Sequence, residues 1–251
     1  MTRIASHRGG TLEFGDSTRA GFIATARMDL EEVEFDLHPT RDGHIVVHHD
    51  PTLDRTTNRT GVIAEMSMSE VCAAIINDGG GHPLRLEQLC EIYTDSPVAF
   101  RCEIKAGADG RPYRDFVPAV VDRLAAYGRL STTIFSSFVI ETLVEIASAC
   151  DRPSLWLVNP AIVEAQGIGA AITLARDHGV RELGINIDQS SHAIRDEIFG
   201  SGLAFGCWGA HSEAQIDKAF DLEAKVFTSD RPSLAIARRA LWNASHKQVN
   251  P

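Results

Sequence analysis

Short apolar or alternating runs recur along the chain, each followed by a longer stretch in which apolar residues return every three or four positions. The first pattern suits strands and the second suits helices with one buried face. Eight runs predict strands, at residues 4–6, 32–37, 98–104, 133–136, 154–158, 182–187, 203–208 and 225–228. Helices are predicted at 18–28, 84–93, 112–127, 139–149, 161–178, 192–199, 213–220 and 233–241. Ser17, Ser212 and Asp230 are placed to cap helices, and Pro83 to open one. Residues 243–251 read as a polar tail. Regular alternation of strand and helix, without a shift of composition, predicts an α/β fold: one (β/α)8 TIM barrel over residues 1–251. A doubly wound open sheet is the rival.

One stretch breaks the rhythm. Residues 39–81 far exceed a strand-to-helix connection of about 2–6 residues. They contain a turn signal at 40–43, a short strand at 45–47 and a short helix at 67–76. A small insertion after the second strand would overhang the C-terminal mouth, where barrels keep their chemistry. Gly79, Gly80 and Gly81 form a flexible turn, since neither a Gly-Lys-Ser/Thr ending nor a strand-to-helix setting makes them a phosphate loop.

Composition narrows the partners. With 251 residues, the chain is long enough for a single barrel. Twenty-four basic against 34 acidic residues give a formal charge of -10, which argues against nucleic acid as a partner. No apolar run approaches the roughly 18 residues of a membrane span, and residues 1–5 lead directly into a strand. The five cysteines are odd in number, scattered and without C-x-x-C spacing, as expected of reduced core residues. Together these features predict a soluble, cytoplasmic protein. The oligomeric state is left open.

Chemistry concentrates at strand ends. Glu34 and Asp36, two apart on a strand, face the same side, while Val33, Phe35 and Leu37 face the outer helices. Glu103 and Lys105 repeat the arrangement on the third barrel strand. Three converging carboxylates would raise one another's pKa values unless a cation compensates. An all-oxygen set suits Mg²⁺ or Ca²⁺, with Mn²⁺ also possible, better than Zn²⁺. Glu32 shares this face as a rival ligand, and the plainer reading pairs these acids with basic side chains. His7, Arg8 and Gly9 follow the first strand; His48, His49 and Asp50 follow the strand at 45–47, one of these two imidazoles complementing His7 as acid or base. His38, His44, His82, His178, His192, His211 and His246 occur singly and read as solvated.

The ordered set His7-Arg8-Gly9, Glu34-Phe35-Asp36, residues 40–43 (Thr-Arg-Asp-Gly), His49-Asp50, Glu103-Ile104-Lys105, residues 136–138 (Ser-Ser-Phe), Trp208 and residues 228–232 (Thr-Ser-Asp-Arg-Pro) resembles the glycerophosphodiester phosphodiesterase family over nearly the whole chain. The resemblance implies a TIM barrel with an insertion after the second strand and a metal-dependent hydrolase that makes sn-glycerol 3-phosphate and an alcohol. It implies that Glu34, Asp36 and Glu103 hold one divalent cation, that His7 and His49 are general acid and base, that Arg8 and Lys105 hold the phosphate, and that Trp208 lines the substrate pocket. One position departs. Where the family has Glu-Asn-Thr, this chain has Asp16-Ser17-Thr18, a shorter acid and a lost amide. Two alternatives stand beside this reading: a phospholipase-like enzyme on the same barrel, which should show an apolar rim, and a non-catalytic phosphate-ligand barrel, which would need no acid/base pair.

Overall fold

The computed structural model describes residues 1–77 and 80–247. In chain order the elements are β1 (Arg3–His7), α1 (Thr11–Phe14), α2 (Arg19–Thr25), β2 (Glu32–Pro39), β3 (Ile45–Val47), α3 (Met68–Cys72), β4 (Leu84–Arg85), α4 (Leu86–Ile92) and β5 (Ala99–Ile104). They continue as α5 (Phe116–Ala126), β6 (Thr133–Ser137), α6 (Ile140–Ala149), β7 (Ser154–Leu157), α7 (Pro160–Gln166) and α8 (Ile168–Asp177). The last are β8 (Glu182–Asn186), α9 (His192–Gly200), β9 (Ala204–Trp208), α10 (Glu213–Asp221), β10 (Val226–Ser229) and α11 (Pro232–Lys247).

Strand β1 pairs in parallel with both β10 and β2, so the eight-strand wall has no free edge. This is the expected closed (β/α)8 barrel rather than an open sheet. The two remaining strands, β3 and β4, run antiparallel from the top of β2 through Leu37 opposite Val47 and Val47 opposite Leu84. They root the insertion at the mouth. Above them Val46, Leu53, Ile63, Met68, Val71 and Ala74 form a small buried cluster of their own, which makes the overhang a packed unit.

Several sequence expectations are corrected at element ends. Thr18, not Ser17, caps α2: its Oγ1 accepts from the Gly21 amide at 3.0 Å, while Ser17 sits one residue outside with φ 56°. Asp230 caps nothing, because its carboxylate is turned to His7. Pro83 lies before the helix, which opens at Leu86. The predicted helix at 161–178 is two, since Gly167 takes φ 77°, a left-handed value that no right-handed helix passes through. The helix at 67–76 stops at Cys72 because Ile76 bridges to Thr57. Residues 243–247, expected as tail, continue α11; residues 248–251 and Gly79 lie outside the described residues. Ser212 caps as expected, in a reciprocal box with Gln215, and Ser67, at the start of the short helix, forms a second such box with Glu70.

Packing of the wall explains its alternation. The outward Phe35 meets Phe100 edge-on at 5.0 Å, and Phe100 meets Tyr93 at 5.3 Å, inside the layer between strands and helices. Inward residues are polar on one side: low in the barrel, buried Arg101 donates to Glu32 at 2.6 Å, and Arg3 reaches the same carboxylate at 3.1 Å. Glu32 is therefore committed to an ion-pair layer and is not a ligand at the mouth. On the opposite side, Gly184 and Gly206 stand in register on β8 and β9, and a Cβ at Gly184 would meet the Leu157 side chain at 2.8 Å, so the absence of a side chain there lets Leu155 and Leu157 pack close to the strand. No described helix is long and apolar enough to cross a membrane.

Candidate functional site

Parallel register between β2 and β5 sets Asp36 directly beside Glu103, with Glu34 two residues below on the same face. One carboxylate oxygen from each of Glu34, Asp36 and Glu103 lies within 4.8 Å of the others, and all three groups are buried. Their surroundings separate them. Burial, then Asp36 and Glu103, push Glu34 well above the ordinary carboxyl range. Burial, opposed by Lys105 and reinforced by Asp36, brings Glu103 up to about 7. For Asp36 burial acts in the same direction, but Lys105 and Arg8 outweigh it and hold the carboxyl below its usual value. Lys105 Nζ lies 2.7 Å from Glu103 and 3.4 Å from Asp36, and Arg8 Nε lies 3.1 Å from Asp36. Neither Asp36 oxygen has a hydrogen bond in a well-aligned geometry although both are buried, an orphaned pair of acceptors that suits a cation of hard, oxygen-loving character.

The turn after β1 is built for close approach. Arg8, Gly9 and Gly10 take φ 49°, 77° and 89°, and a Cβ on Gly10 would stand 2.9 Å from the Pro232 ring. Left-handed arginine is strained, and such strain collects at functional positions. The turn is closed by the Gly10 amide on the His7 carbonyl at 2.8 Å and tied to β2 by the Arg8 amide on the Glu34 carbonyl at 2.9 Å, and the Arg8 side chain is held by Asp16 at 3.0 Å. The shorter acid at position 16 thus still reaches the arginine.

Each mouth imidazole is backed by an aspartate. His7 Nδ1 lies 2.5 Å from Asp230 Oδ1, and His49 Nδ1 lies 2.5 Å from Asp50 Oδ1. A carboxylate accepts only, so a neutral ring in either place carries its proton on Nδ1 and offers the Nε2 lone pair to the cavity. Lys105 Nζ stands 3.2 Å from His49 Nε2, consistent with that tautomer. His211 completes a group with His7 and Asp230, but its Nδ1 already accepts from the Asp230 amide at 3.0 Å.

His7, Arg8, Glu34, His49, Glu103, Lys105 and Trp208 line one cavity of about 310 Å³, and Asp36 lies under its Arg8 and Lys105. The structure therefore gathers the whole expected set. Phe138 meets Trp208 edge-on at 5.5 Å and has Lys105 Nζ 5.7 Å from its ring centre, and Leu155, Leu157 and Val226 add apolar lining. Sequence reasoning missed three contributors. His211 read as solvated, Asp230 as a cap, and Arg55, which binds Asp50, drew no attention. His211 and Asp230 follow the C-terminal ends of β9 and β10, and that position was the available signal.

His48 faces away, into Thr52 and Thr56 at 3.2 and 3.3 Å, so His49 alone of this pair enters the cavity. His38 is also structural, and is not solvated as expected: fully buried, it spans the Tyr113 hydroxyl at 2.8 Å and the His49 carbonyl at 3.0 Å. Burial lowers its pKa to about 4. Between about 6.5 and 4 the unfolded chain binds a proton here that the folded chain does not, so stability present at neutral pH is lost on acidification through that window. At 1.36 kcal/mol per pKa unit the loss is roughly 3 kcal/mol. Denaturant unfolding of His38→Gln should fall by that much less than the parent over this range; parallel curves would refute the assignment.

Fold and site define a barrel protein with an acidic, cation-ready centre beside a basic rim suited to an anionic ligand. Residues 7–234 match the model of the glycerophosphoryl diester phosphodiesterase family. The structure resembles that of a candidate glycerophosphoryl diester phosphodiesterase from Agrobacterium tumefaciens, with 55% identity and a TM-score of 0.96 over 97% of this chain and 99% of the other. It shares its fold with an Oleispira antarctica phosphodiesterase in complex with the product sn-glycerol-3-phosphate, at 17% identity and a TM-score of 0.80 over 96% and 97% of the two chains. A glycerophosphodiester phosphodiesterase from Caldanaerobacter subterraneus is 32% identical over 112 residues, which span 42% of this chain and less than half, 46%, of that relative. The chain belongs to the glycerophosphoryl diester phosphodiesterase family.

Proposed function

We propose that the protein hydrolyses glycerophosphodiesters to sn-glycerol 3-phosphate and an alcohol, the whole chain serving as one phosphodiesterase domain with its insertion at about residues 39–81. The observation that carries this reading is the meeting of three buried carboxylates within 4.8 Å beside two aspartate-backed imidazoles in one cavity. The Oleispira relative, a phosphodiesterase bound to sn-glycerol-3-phosphate, supports the product.

On this reading Glu34, Asp36 and Glu103 hold one divalent cation, Mg²⁺ or Ca²⁺ by donor type and Mn²⁺ as a third choice. Bound there, the cation neutralises phosphoryl oxygens and lowers the charge barrier to attack. The chain's own groups do the rest. Arg8 offers a planar fork and Lys105 a compact charge to the phosphate oxygens. One of His7 and His49 takes the proton of the attacking hydroxyl as its oxygen bonds to phosphorus; the other gives a proton to the alcohol oxygen as its bond to phosphorus breaks. Trp208 bounds the substrate. The substrate is a small molecule, with neither nucleic acid nor a membrane-inserted lipid required. A cytoplasmic location belongs to the same reading, and the five unpaired cysteines agree with it.

Glycerol 3-phosphate release should be measured on glycerophosphocholine, glycerophosphoethanolamine and glycerophosphoglycerol, after chelation and then with Mg²⁺, Ca²⁺ or Mn²⁺ restored. Release that is abolished by chelator and recovered with one of the three ions is the expected result. Tight binding without product at any ion concentration would return the protein to a ligand-binding barrel, and activity confined to micellar phospholipid would make it a phospholipase.

A further inference from the structure

Arg55 lies in the insertion, with its side chain 55% exposed, and it is not among the groups that line the cavity and would meet substrate or cation. Its guanidinium nonetheless joins the supports of two groups that would. Nε and one terminal nitrogen donate to the two oxygens of Asp50 at 2.6 and 3.1 Å, and Asp50 holds His49 Nδ1 at 2.5 Å. The terminal nitrogen that donates to Asp50 Oδ1 also lies 3.7 Å from Asp16 Oδ2, an ion pair beyond hydrogen-bond range, and that Asp16 oxygen accepts from Arg8 at 3.0 Å. A run of alternating charge, Arg8, Asp16, Arg55, Asp50, His49, hydrogen-bonded at every link except the Asp16–Arg55 ion pair, therefore crosses from the β1 turn to the insertion.

From this run we infer that Arg55 is a positioning residue that fixes His49 and Arg8 relative to each other by clamping the two aspartates behind them. The inference rests on the proposed roles of His49 and Arg8 in phosphodiester hydrolysis.

Three features make the clamp more than a surface ion pair. First, Asp50 is gripped at both oxygens, so its carboxylate cannot rotate away from the imidazole; a bidentate fork of this kind fixes direction as well as distance. Second, Arg55 also stands 3.5 Å from His49 Nδ1, but the Asp50 oxygen is nearer and only accepts, so the ring proton goes to Asp50 and the arginine stays behind it. Third, Asp16 is the residue that shortens the acidic position of the family motif. Its Oδ1 accepts from Ser17 at 2.8 Å, which leaves Oδ2 to serve Arg8 and Arg55 together. Exposed ion pairs contribute little stability. Loss of the clamp should therefore register in turnover far more than in melting temperature.

The test uses Arg55→Gln and Arg55→Lys in the full chain, with glycerophosphocholine as substrate and the ion that supports the highest rate. Arg55→Gln is expected to lower kcat by about 10- to 100-fold, the range typical of residues that orient a reacting group. KM should change much less, and the melting temperature by no more than about 3 °C. Lysine, a point charge that cannot grip both Asp50 oxygens and face Asp16, should recover only a small part of the rate. In parallel, the imidazole Nδ1 proton of His49, assigned by its disappearance in His49→Ala, should give a protected downfield resonance in the parent and an exchange-broadened one in Arg55→Gln. Full rescue by lysine would overturn the clamp in favour of simple charge attraction, and an unchanged kcat with a lowered melting temperature would reduce it to a structural tie. An unaltered His49 resonance in Arg55→Gln would also sink it. If the parent chain releases no glycerol 3-phosphate, the hydrolase reading fails, and the resonance still decides whether Arg55 orients His49.

Discussion

Replacing His7 or His49 by alanine is expected to reduce glycerol 3-phosphate release by about 10²- to 10⁴-fold in each case, the usual contribution of a positioned acid or base. Neither change should unfold the chain or empty the cation site. Both rings are partly solvent-exposed at the mouth, His7 by 21% and His49 by 29% of their side-chain surface, so truncation removes little packing. His7 Nε2 stays 3.8 Å from Glu34, outside hydrogen-bond range, and His49 touches the acidic centre only through Lys105. The double variant should lose less than the product of the two single losses, because a reaction deprived of one proton transfer gains little from the other. Steady-state rates on glycerophosphocholine, together with calorimetric titration of the cation into each variant, separate these effects. Near-parental turnover in either single variant would remove that histidine from the mechanism.

The second large effect concerns the acidic centre. Glu103 has a pKa near 7 and Glu34 one well above the normal range, each raised first by burial. A carboxyl must release its proton before it can hold a metal ion. The sign follows: above pH 7 Glu103 is already ionised, whereas below it each step of acidification puts a proton in competition with the cation. Apparent affinity should therefore weaken as pH falls through 7, and binding near that pH should release protons that calorimetry detects as a buffer-dependent heat. Glu103→Gln should cost more than the about 10- to 100-fold that a merely supporting residue costs, and should reduce the number of protons released. Glutamine is the informative replacement, since Lys105 keeps Asp36 as a partner at 3.4 Å and no buried ammonium is stranded. Cation affinity that is flat from pH 6 to 8 would contradict the arrangement.

The barrel was legible because its signal repeats. Eight strand patterns separated by helical ones leave few topologies open, and each strand was found with its ends displaced by only a residue or two. The carboxylates were legible for a similar reason: a spacing of two on a strand is a statement about direction, so Glu34 and Asp36 had to share a face. What hid was of another kind. The break at Gly167 depends on a single backbone angle, and the extension of α11 beyond residue 241 runs through Asn243 and Ser245, which read as polar tail. Asp230 has the composition of a cap and sits two residues before the helix start at Pro232; only the path of β1 beside β10 brings it to His7, 223 residues away. Arg55 and His38 likewise owe their roles to neighbours that the insertion and the barrel bring together, and no local pattern encodes such meetings.

The insertion's private hydrophobic cluster divides the labour at the mouth. The acidic triad hangs from two adjacent barrel strands whose spacing is dictated by backbone pairing, whereas His49 arrives on a separately packed overhang. Drift in the overhang's length or seating consequently reaches proton traffic before it reaches ion retention, and descendants of this architecture are free to retune speed while inheriting the same inorganic anchor.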